Sequence, residues 1–475
     1  MNRVSKGFFR LSLPQWVLWL AVVAVVFQPV LVGDLYGYLV YGDWMLENQA
    51  ITTVDVFSFT VEGTAWVNHE WFFQVVLTGV KQLFGWTGLL VLQLGLTAAI
   101  VLLIMVFCRS PDTNLIQWAL NVSLPVLAVV PGLTLRPQLL TYLAILILGV
   151  VFYDIRRFQG SDYLILAGLF AVWSNVHGGV LVGMVFLCFL LFRQVVLEPG
   201  LMRGLKAITL TITAMAFTVL NPYGLELWTM VSETAGDPVT SVFIQEWRPT
   251  WLYPFHLSVW CLLGGQWILS LVQSHGKMKR RVWLVIICLT GAALLSLWPR
   301  RNLTYYGLAV AMFGVPVQVN WLESVEIPDL IRRGVLTGAG MGAILVIGMT
   351  IWNGFYTTER HYPERLINQL NVSDRRTNLY VHYPWAQWAI YSRPNLKVFL
   401  DGRWKTVYSD DVIKDYGKIL LGDMNSLRRY DLDWVLIPGR YGLNAELNRT
   451  PGWTLLAKHR KTYLWKQTGR ESSHE

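Results

Sequence analysis

The sequence predicts a mainly α-helical protein: a polytopic transmembrane helical bundle of about eleven spans, followed by a small C-terminal α/β domain. Hydrophobic residues make up 54% of the 475 residues and charged residues only 15%, a composition typical of membrane proteins. The apolar residues come in blocks close to the roughly 17 to 25 residues that cross a hydrocarbon core of about 30 Å. Because lipid offers the backbone no hydrogen-bonding partner, each block predicts a helix.

Eleven apolar blocks define the predicted spans. They cover residues 15–32, 88–107, 115–130, 139–153, 163–173, 180–196, 205–220, 257–272, 282–298, 303–319 and 335–352. The fifth block is short and is compatible with a half-helix. Together these blocks predict a transmembrane domain at 1–355, with a large first outer loop at 33–85, and an extracytoplasmic domain at 356–475.

The basic residues of the short loops predict the orientation. With a cytoplasmic N-terminus, the inner segments contain the basic clusters at 3–10, 156–157, 203–206, 277–281 and 332–333. The outer short loops then contain only Lys81, Arg136, Arg248, Arg300 and Arg301. An odd number of spans places the C-terminal domain outside. No small-residue cleavage site follows Val32, so the first span is predicted to be a retained anchor and not a signal peptide.

Charge and cysteine content argue against nucleic-acid binding and against cysteine-based disulfide or metal sites. Much of the net charge of +9 lies in the inner loops, where it has a topogenic role, so no nucleic acid is expected as a partner. The four cysteines fall within or at the ends of apolar spans. Neither a disulfide framework nor a CxxC metal site is therefore predicted.

The unusual polar motifs all fall on the outer side. They are the first loop, which begins GDLYGYLVYGDWMLENQ, and the motifs LRPQLLTY, WSNVHGG, LNPYG with QEWRPTW, WPRRN and FLDGRW. The inner loops are short and basic and contain no comparable cluster. Any chemistry is therefore expected at the outer surface of the membrane.

Arginines of the outer loops are the expected contacts to phosphate. Guanidinium groups suit bidentate binding of phosphate, and Arg136, Arg300 and Arg301 lie at span ends or beside Pro and Trp residues. They predict a site for an anionic lipid headgroup. The alternative is that each side chain only snorkels to the membrane interface.

Carboxylates of the first loop are the expected catalytic groups. Transfer of a sugar to a hydroxyl needs a carboxylate to take the acceptor proton. A Mg²⁺ or Mn²⁺ ion on oxygen ligands would help to neutralise a departing phosphate. Asp34, directly after the first span, is the first candidate, and Asp55 and Glu70 follow. The alternative for all three is the capping and solvation of a polar loop.

Other side chains of the outer motifs are predicted to contact substrate. They are His69, Asn175, His177, Glu246, Asp401 and Arg403. A lone histidine such as His177 is more often a hydrogen-bonded packing residue, and the Asp401 segment is equally suited to making a turn. Zinc is not expected, because no HExxH motif or paired histidine spacing occurs.

Beyond residue 361 the apolar runs shorten and alternate. NLYVHY, KVFLDGR, DWVLIP and KTYLWKQ predict strands, whereas PWAQWAIYS and DDVIKDYGKILLG predict helices. A small α/β domain fits this pattern. Scaffolding or acceptor docking is its expected role.

The long first loop opened by Asp34, the many spans and the outward-facing motifs resemble the GT-C superfamily of membrane glycosyltransferases. Members of that superfamily take sugars from polyprenyl-phosphate donors. The stretch GDWMLENQAITTVDVFSFTVEGTAWVNHEW is similar to the first loop of bacterial members without an assigned substrate. The resemblance implies an inverting transferase of the bacterial cytoplasmic (inner) membrane. It also implies that Asp34 acts as a base or a metal ligand.

The predicted function is therefore the transfer of a sugar from a polyprenyl-phosphate donor to a glycan, lipid or protein acceptor. Two alternatives stay open. A non-enzymatic assembly factor for envelope polysaccharide would tolerate the loss of Asp34. A transporter of lipid-linked sugar should show internal repeats or polar midspan helices, and the sequence shows no convincing repeat and few charges within the spans.

Overall fold

The computed structural model describes residues 11–109, 114–153, 158–236, 244–273, 280–314, 329–355, 362–370 and 377–468. The predicted basic segments at 3–10, 156–157 and 277–279 lie outside these residues. The chain divides into two compact units. Unit 1 comprises Met1–Val30, Leu83–Trp228 and Ser241–Tyr356, and unit 2 comprises Leu31–Gln82, Thr229–Thr240 and Thr357–Glu475.

Helices dominate the described chain. They are α1 (Leu13–Val26), α2 (Gly33–Asn48), α3 (Trp71–Phe107), α4 (Leu115–Val129), α5 (Gln138–Phe152), α6 (Gly160–Ser174), α7 (Val180–Leu197), α8 (Leu201–Phe217), α9 (Glu226–Gly236), α10 (Pro254–Gln273), α11 (Arg280–Leu295), α12 (Leu303–Phe313), α13 (Asp329–Asn353), α14 (Glu364–Ile367), α15 (Ala386–Ser392), α16 (Asp410–Leu421), α17 (Met424–Leu427) and α18 (Leu443–Arg449). The strands are β1 (Thr377–Val381), β2 (Leu396–Val398), β3 (Trp434–Pro438), β4 (Trp453–His459) and β5 (Thr462–Gln467).

Four stretches of the described chain are long and apolar enough to cross a membrane. They are Trp71–Phe107, Leu115–Gly132, Val180–Leu197 and Arg333–Asn353. Each of the eleven predicted spans overlaps a helix, but the number eleven is not confirmed, because the other helices do not reach this length and apolarity. In the longest stretch the helix is broken at Gly85, which has a φ of 64°.

Exposed apolar side chains on unit 1 agree with membrane insertion. Trp352 of α13 is 90% exposed, and Ile344 and Met349 of the same helix are more than 60% exposed. Leu201 and Ile212 on α8 are also exposed. Such a surface is unfavourable in water and favourable in lipid.

Helices α4 and α12 of unit 1 pack closely against each other. A Cβ on Gly307 would lie 2.6 Å from the Cβ of Ala128, so only glycine permits this approach. The Thr304 hydroxyl donates to the Ala128 carbonyl oxygen at 3.2 Å. These contacts place the first turn of α12 beside the end of α4, and both elements line the cavity described below.

Unit 2 contains a five-stranded sheet in the order β2-β1-β3-β5-β4. β2, β1 and β3 are parallel, whereas β5 and β4 are antiparallel additions. The four predicted strands and two predicted helices are confirmed within a few residues. β4 was not predicted, because its exposed Leu455 and Leu456 break the alternation expected of a strand.

Most of the predicted first outer loop is not an irregular loop. Residues 33–48 form α2, which packs on α15 within unit 2 and buries Leu35, Leu39 and Tyr41. Residues 31–82 belong to the same compact unit as the C-terminal tail, whereas the sequence predicts residues 33–85 as an outer loop of the transmembrane domain. The many aromatic residues of α2 explain this difference, because they provide the apolar surface on which the tail folds.

Candidate phosphate-binding site

Two loops of unit 1 are joined by backbone and side-chain hydrogen bonds. The Arg300 N–H donates to the Arg248 carbonyl at 2.9 Å, and the Thr250 N–H donates to the Leu297 carbonyl at 2.9 Å. Trp298 Nε1 donates to the Trp247 carbonyl at 2.9 Å. The QEWRPTW and WPRRN motifs, about 50 residues apart in the sequence, therefore form one structure.

Four sequence-predicted substrate contacts converge beside these loops. Glu246 lies in the 3₁₀ turn Gln245–Trp247, and Arg300 and Arg301 lie in the turn Arg300–Asn302 before α12. Arg136 directly precedes α5. Its Nη1 lies 3.1 Å from Glu246 Oε2, and Arg301 Nη1 lies 3.7 Å from Glu246 Oε1. We call the space that these four side chains line the arginine cavity.

Aromatic rings hold two of the guanidinium groups. Arg300 lies 3.8 Å from the ring centre of Tyr253, and Arg301 lies 4.7 Å from that of Trp247. Such stacking suits the planar guanidinium and leaves its edge available for hydrogen bonds. The arginines are therefore oriented by packing as well as by charge.

Burial and neighbouring charges shift the pKa values of the groups that line the arginine cavity. Burial alone would raise the pKa of Glu246, but the charges of Arg136 and Arg301 outweigh it and hold that pKa below its ordinary value. Burial lowers the pKa of Arg300. Glu246 is thus ionised at neutral pH, and it balances one of the three guanidinium charges.

The arginine cavity has a volume of about 100 Å³. Its lining also includes Gln138 and His256, which sequence reasoning did not identify. Within the described residues, Gln138 Oε1 and His256 Nδ1 are buried and have no hydrogen-bond partner. Buried polar atoms are nearly always paired, so these two atoms point to a ligand or water in the cavity. Gln138 belongs to the LRPQ motif, and His256 follows Pro254 at a helix start.

Three other predicted site residues lie together but inside the core of unit 2. Asp55 and Asp401 are fully buried, and Arg403 is 7% exposed. Arg403 Nη1 lies 2.6 Å from Asp55 Oδ1, and Arg403 Nη2 lies 2.9 Å from Asp401 Oδ2. Tyr41, Phe57, Trp66 and Tyr408 surround the guanidinium. We call this group the Arg403 network.

Asp55, predicted to be catalytic, and Asp401 and Arg403, predicted to contact substrate, stay predictions, and the structure shows all three buried in the Arg403 network. Asp55 also accepts hydrogen bonds from the N–H groups of Phe57 and Ser58, and Asp401 accepts one from the Tyr41 hydroxyl at 3.1 Å. Both carboxylates are fully buried and are bonded to other groups of the protein. Their position indicates a packing role, which the sequence could not distinguish from a site.

The WSNVHGG motif also has a structural environment. His177 is buried, and its Nδ1 lies 2.8 Å from Thr141 Oγ1 and accepts from the Gly179 N–H. Asn175 Nδ2 donates to the carbonyl oxygens of Ala171 and Leu220. His177 and Asn175 therefore form hydrogen bonds that join helix ends, and their substrate contacts stay a prediction.

The remaining predicted residues lie in unit 2 and are partly exposed. Asp34 is in the first turn of α2, where a carboxylate interacts favourably with the helix dipole. His69 and Glu70 precede α3, with His69 Nε2 3.7 Å from Glu70 Oε1. The catalytic role of Asp34 and Glu70 and the substrate contact of His69 stay predictions.

The expected magnesium or manganese ion stays a prediction. No group of three or more His, Cys, Asp and Glu side chains in that part of the chain could hold a metal. No step of the proposed reaction is routed through a metal.

Comparison with known proteins gives no family assignment. Neither a protein-family model nor a curated protein matches this sequence.

Proposed function

We propose that this protein is an inverting membrane glycosyltransferase that takes a sugar from a polyprenyl-phosphate donor at the outer face of the bacterial cytoplasmic membrane. The arginine cavity binds the phosphate of the donor lipid. The observation that carries this proposal is the convergence of Arg136, Arg300 and Arg301 around a single carboxylate, Glu246.

The size of the arginine cavity suits a phosphate group better than a whole saccharide. Its volume of about 100 Å³ exceeds the roughly 30 Å³ that one water occupies in the liquid. It is well below the roughly 300 to 1,000 Å³ of sites that enclose drug-sized ligands. The phosphate thus enters the cavity, while the lipid and most of the sugar lie outside it.

The charge of the arginine cavity suits the leaving group. When the acceptor hydroxyl oxygen bonds to the sugar C1, the bond from C1 to the phosphate oxygen breaks. The departing polyprenyl phosphate keeps the electron pair, so its charge changes from −1 to −2. Three guanidinium groups opposed by one carboxylate stabilise that added charge, as charge-assisted hydrogen bonds do in other transfer reactions.

The proton of the acceptor hydroxyl needs a carboxylate base. Glu246 is poorly suited, because its lowered pKa makes it a weak base; its role is to orient the arginines. Asp34 and Glu70, the carboxylates of the first loop that the sequence predicts as catalytic, are partly exposed and stay the proposed bases. Gln138 Oε1 provides an acceptor for a sugar hydroxyl.

The finer topology is also part of this proposal. About eleven spans, with the N-terminus inside and the C-terminal domain outside, place Arg136, Glu246, Arg300 and Arg301 at one face of the membrane. The agreement of every predicted span with a helix and the exposed apolar surface of α13 support this arrangement.

Turnover by the full chain in lipid nanodiscs tests the proposal. Radiolabelled polyprenyl-phosphate hexoses and pentoses are supplied, and release of polyprenyl phosphate is measured. We expect turnover by the wild type, strong loss in Arg301→Gln, and little change in Arg203→Gln. Arg203 is a matched control, because it pairs with Glu198 at 2.6 Å and lies 5.9 Å from the Phe158 ring centre, but does not line the cavity.

Two outcomes would overturn the proposal. Donor binding without release of polyprenyl phosphate by the wild type would favour the transporter or assembly-factor alternative. Equal loss of turnover in Arg203→Gln and Arg301→Gln would show that the effect of the substitution is not specific to the cavity. Asp34→Asn and Glu70→Gln then identify the base. Both variants should retain donor binding, and only the variant that lacks the base should lose turnover.

A further inference from the structure

The sheet of unit 2 contains a topological switch point. β1 lies between β2 and β3, and all three strands are parallel. From β1 the chain goes first to β2 on one side and later to β3 on the other. In open α/β sheets, ligands bind outside the carboxyl ends of the strands where the order reverses in this way. The relevant edge is where β1 ends before His382 and β3 ends at Pro438.

A large cleft lies at this edge. It has a volume of about 810 Å³, and its lining includes His382, Pro438 and Arg440 from the strand ends. The α14 segment, Pro384, Trp385 and the β4–β5 turn supply the rest of the lining. This volume falls within the roughly 300 to 1,000 Å³ of small-molecule sites. The cavity and the strand order are independent observations, and they indicate the same place.

The lining of this cleft is strongly basic. Arg365, Arg440, Arg460 and Lys461 contribute four positive charges, and Glu364 contributes one negative charge. Within the described part of the chain, Arg365, Arg440 and Lys461 form no ion pair with a carboxylate. A ligand with at least two negative charges would balance this excess. We call this cleft the basic cleft.

The turn between β4 and β5 places two of these charges. Arg460 has a φ of 53°, a left-handed conformation that favours glycine or asparagine over a long side chain. The next residue is Lys461, whose carbonyl accepts from the Gly439 N–H at 2.6 Å. This hydrogen bond holds the turn against the end of β3. Arg460 therefore occupies a backbone position that a small residue would suit better.

Aromatic side chains complete the lining. Trp385 and Tyr362 both line the basic cleft, and Trp385 packs edge-on against His382 with 5.1 Å between ring centres. Aromatic rings beside cationic groups are suited to a sugar ring that carries phosphate, because the ring contacts the apolar face and the phosphate contacts the guanidinium groups.

We propose that the basic cleft binds a phosphorylated saccharide. The volume exceeds what a phosphate alone would fill, and the excess of positive charge requires an anion. The site lies entirely within unit 2, so this inference stands whether or not the arginine cavity of unit 1 binds a lipid phosphate.

Equilibrium dialysis of the full chain in detergent tests this inference. The probes are radiolabelled glucose 1-phosphate, inorganic phosphate, uridine monophosphate and glucose. We expect glucose 1-phosphate to bind more tightly than inorganic phosphate, and glucose to bind negligibly. The double variant Arg440→Gln/Lys461→Gln should bind glucose 1-phosphate at least about tenfold more weakly, since it lacks two charge-assisted contacts.

Two control variants make the test specific. Lys458→Gln removes an exposed charge from β4 that lies over the Tyr463 ring and does not line the cleft, so it should keep wild-type affinity. Arg301→Gln should also keep it, because Arg301 belongs to the arginine cavity. The thermal midpoint of each variant is measured as well. A midpoint equal to that of the wild type excludes loss of folding as the cause of weaker binding.

Several results would overturn the inference. Unchanged affinity in the double variant would place the ligand elsewhere, and loss of affinity in Arg301→Gln alone would place it in the arginine cavity. Glucose binding equal to that of glucose 1-phosphate would exclude recognition by charge. Tighter binding of uridine monophosphate would indicate a nucleotide site in place of a saccharide site.

Discussion

Arg136 and Glu246 are 110 residues apart in the sequence, yet Arg136 Nη1 donates to Glu246 Oε2 at 3.1 Å. Arg301 approaches the other carboxylate oxygen at 3.7 Å. Glu246 therefore holds two arginines of separate loops in one place while leaving positive charge uncompensated. An incoming phosphate would compete with this carboxylate for the same guanidinium groups.

Glu246→Gln should lower the stability of the protein but raise its affinity for polyprenyl phosphate. The substitution keeps the shape of the side chain but removes the charge that balances the arginines, so we expect a lower thermal midpoint in detergent. Loss of these partly exposed ion pairs costs about 1 to 2 kcal/mol. Affinity for polyprenyl phosphate should rise, because the internal competitor is gone, and added lipid should restore the midpoint.

Glu198→Gln is the control for this experiment, since Glu198 also pairs with an arginine, Arg203. It should lower the midpoint slightly without changing lipid affinity. If Glu246→Gln instead weakens lipid binding, the orientation of Arg136 and Arg301 by Glu246 outweighs its competition with the phosphate.

Arg301→Lys should show that geometry matters as well as charge. Lysine keeps the positive charge but cannot make a bidentate contact with phosphate and loses the contact with the Trp247 ring. We expect affinity for polyprenyl phosphate to fall about tenfold for lysine and further for Arg301→Gln, since a charged hydrogen bond contributes roughly 1.5 to 3 kcal/mol. Titration in nanodiscs measures this. Equal affinity of the lysine variant and the wild type would show that Arg301 acts only as a diffuse charge.

The Arg403 network should act on folding. Asp55→Asn leaves Arg403 with one carboxylate in a buried site, and breaking a buried pair in this way costs about 3 to 5 kcal/mol. We expect increased proteolysis of unit 2 and a lower thermal midpoint. Asp43→Asn is the matched control, because Asp43 makes a solvent-exposed hydrogen bond with Gln82 at 3.0 Å. A stable Asp55→Asn protein without transferase activity would instead restore Asp55 as a catalytic residue.

His382 should make unit 2 less stable in acid. Burial, assisted by the charge of Arg440, lowers the pKa of His382 to about 4. Because the folded-state pKa lies below the ordinary value of about 6.5, the neutral ring stabilises the fold above pH 6.5. That stability is lost as the pH falls from 6.5 toward 4, by about 3 kcal/mol in total at roughly 1.4 kcal/mol per pKa unit.

Amide hydrogen exchange of β1 and β3 at pH 7 and pH 4.5 measures this loss, after correction for the intrinsic rates. His382→Gln cannot acquire the charge, so its protection should depend less on pH than that of the wild type. The same pH dependence in both proteins would mean that other groups cause the acid instability.

Part of this structure could be predicted from the sequence. Apolar blocks indicated the helices, and the alternating runs after residue 377 indicated β1, β2, β3 and β5. Arg136, Arg300 and Arg301 could be identified because arginine is rare in the outer loops and each lies at the end of an apolar block. Their common location could not be predicted, since it depends on the packing of α4 against α12 at Gly307.

The burial of other predicted site residues could not be predicted from the sequence. Asp55, Asp401 and Arg403 have the polarity and loop context of functional residues, but a sequence shows polarity and not burial. Their charges compensate one another, and this pairing brings together positions more than 300 residues apart. His256 was missed for the opposite reason, because a single histidine at a helix start resembles many packing histidines.

Equilibrium binding of polyprenyl phosphate to the full chain in nanodiscs is the most direct test of the proposed phosphate site. The wild type, Arg301→Gln and Arg203→Gln are titrated side by side at fixed ionic strength. We expect saturable binding to the wild type and to Arg203→Gln, with affinity at least about tenfold lower in Arg301→Gln. Equal affinity of all three proteins would contradict this expectation, because the arginine cavity would then not hold the lipid phosphate.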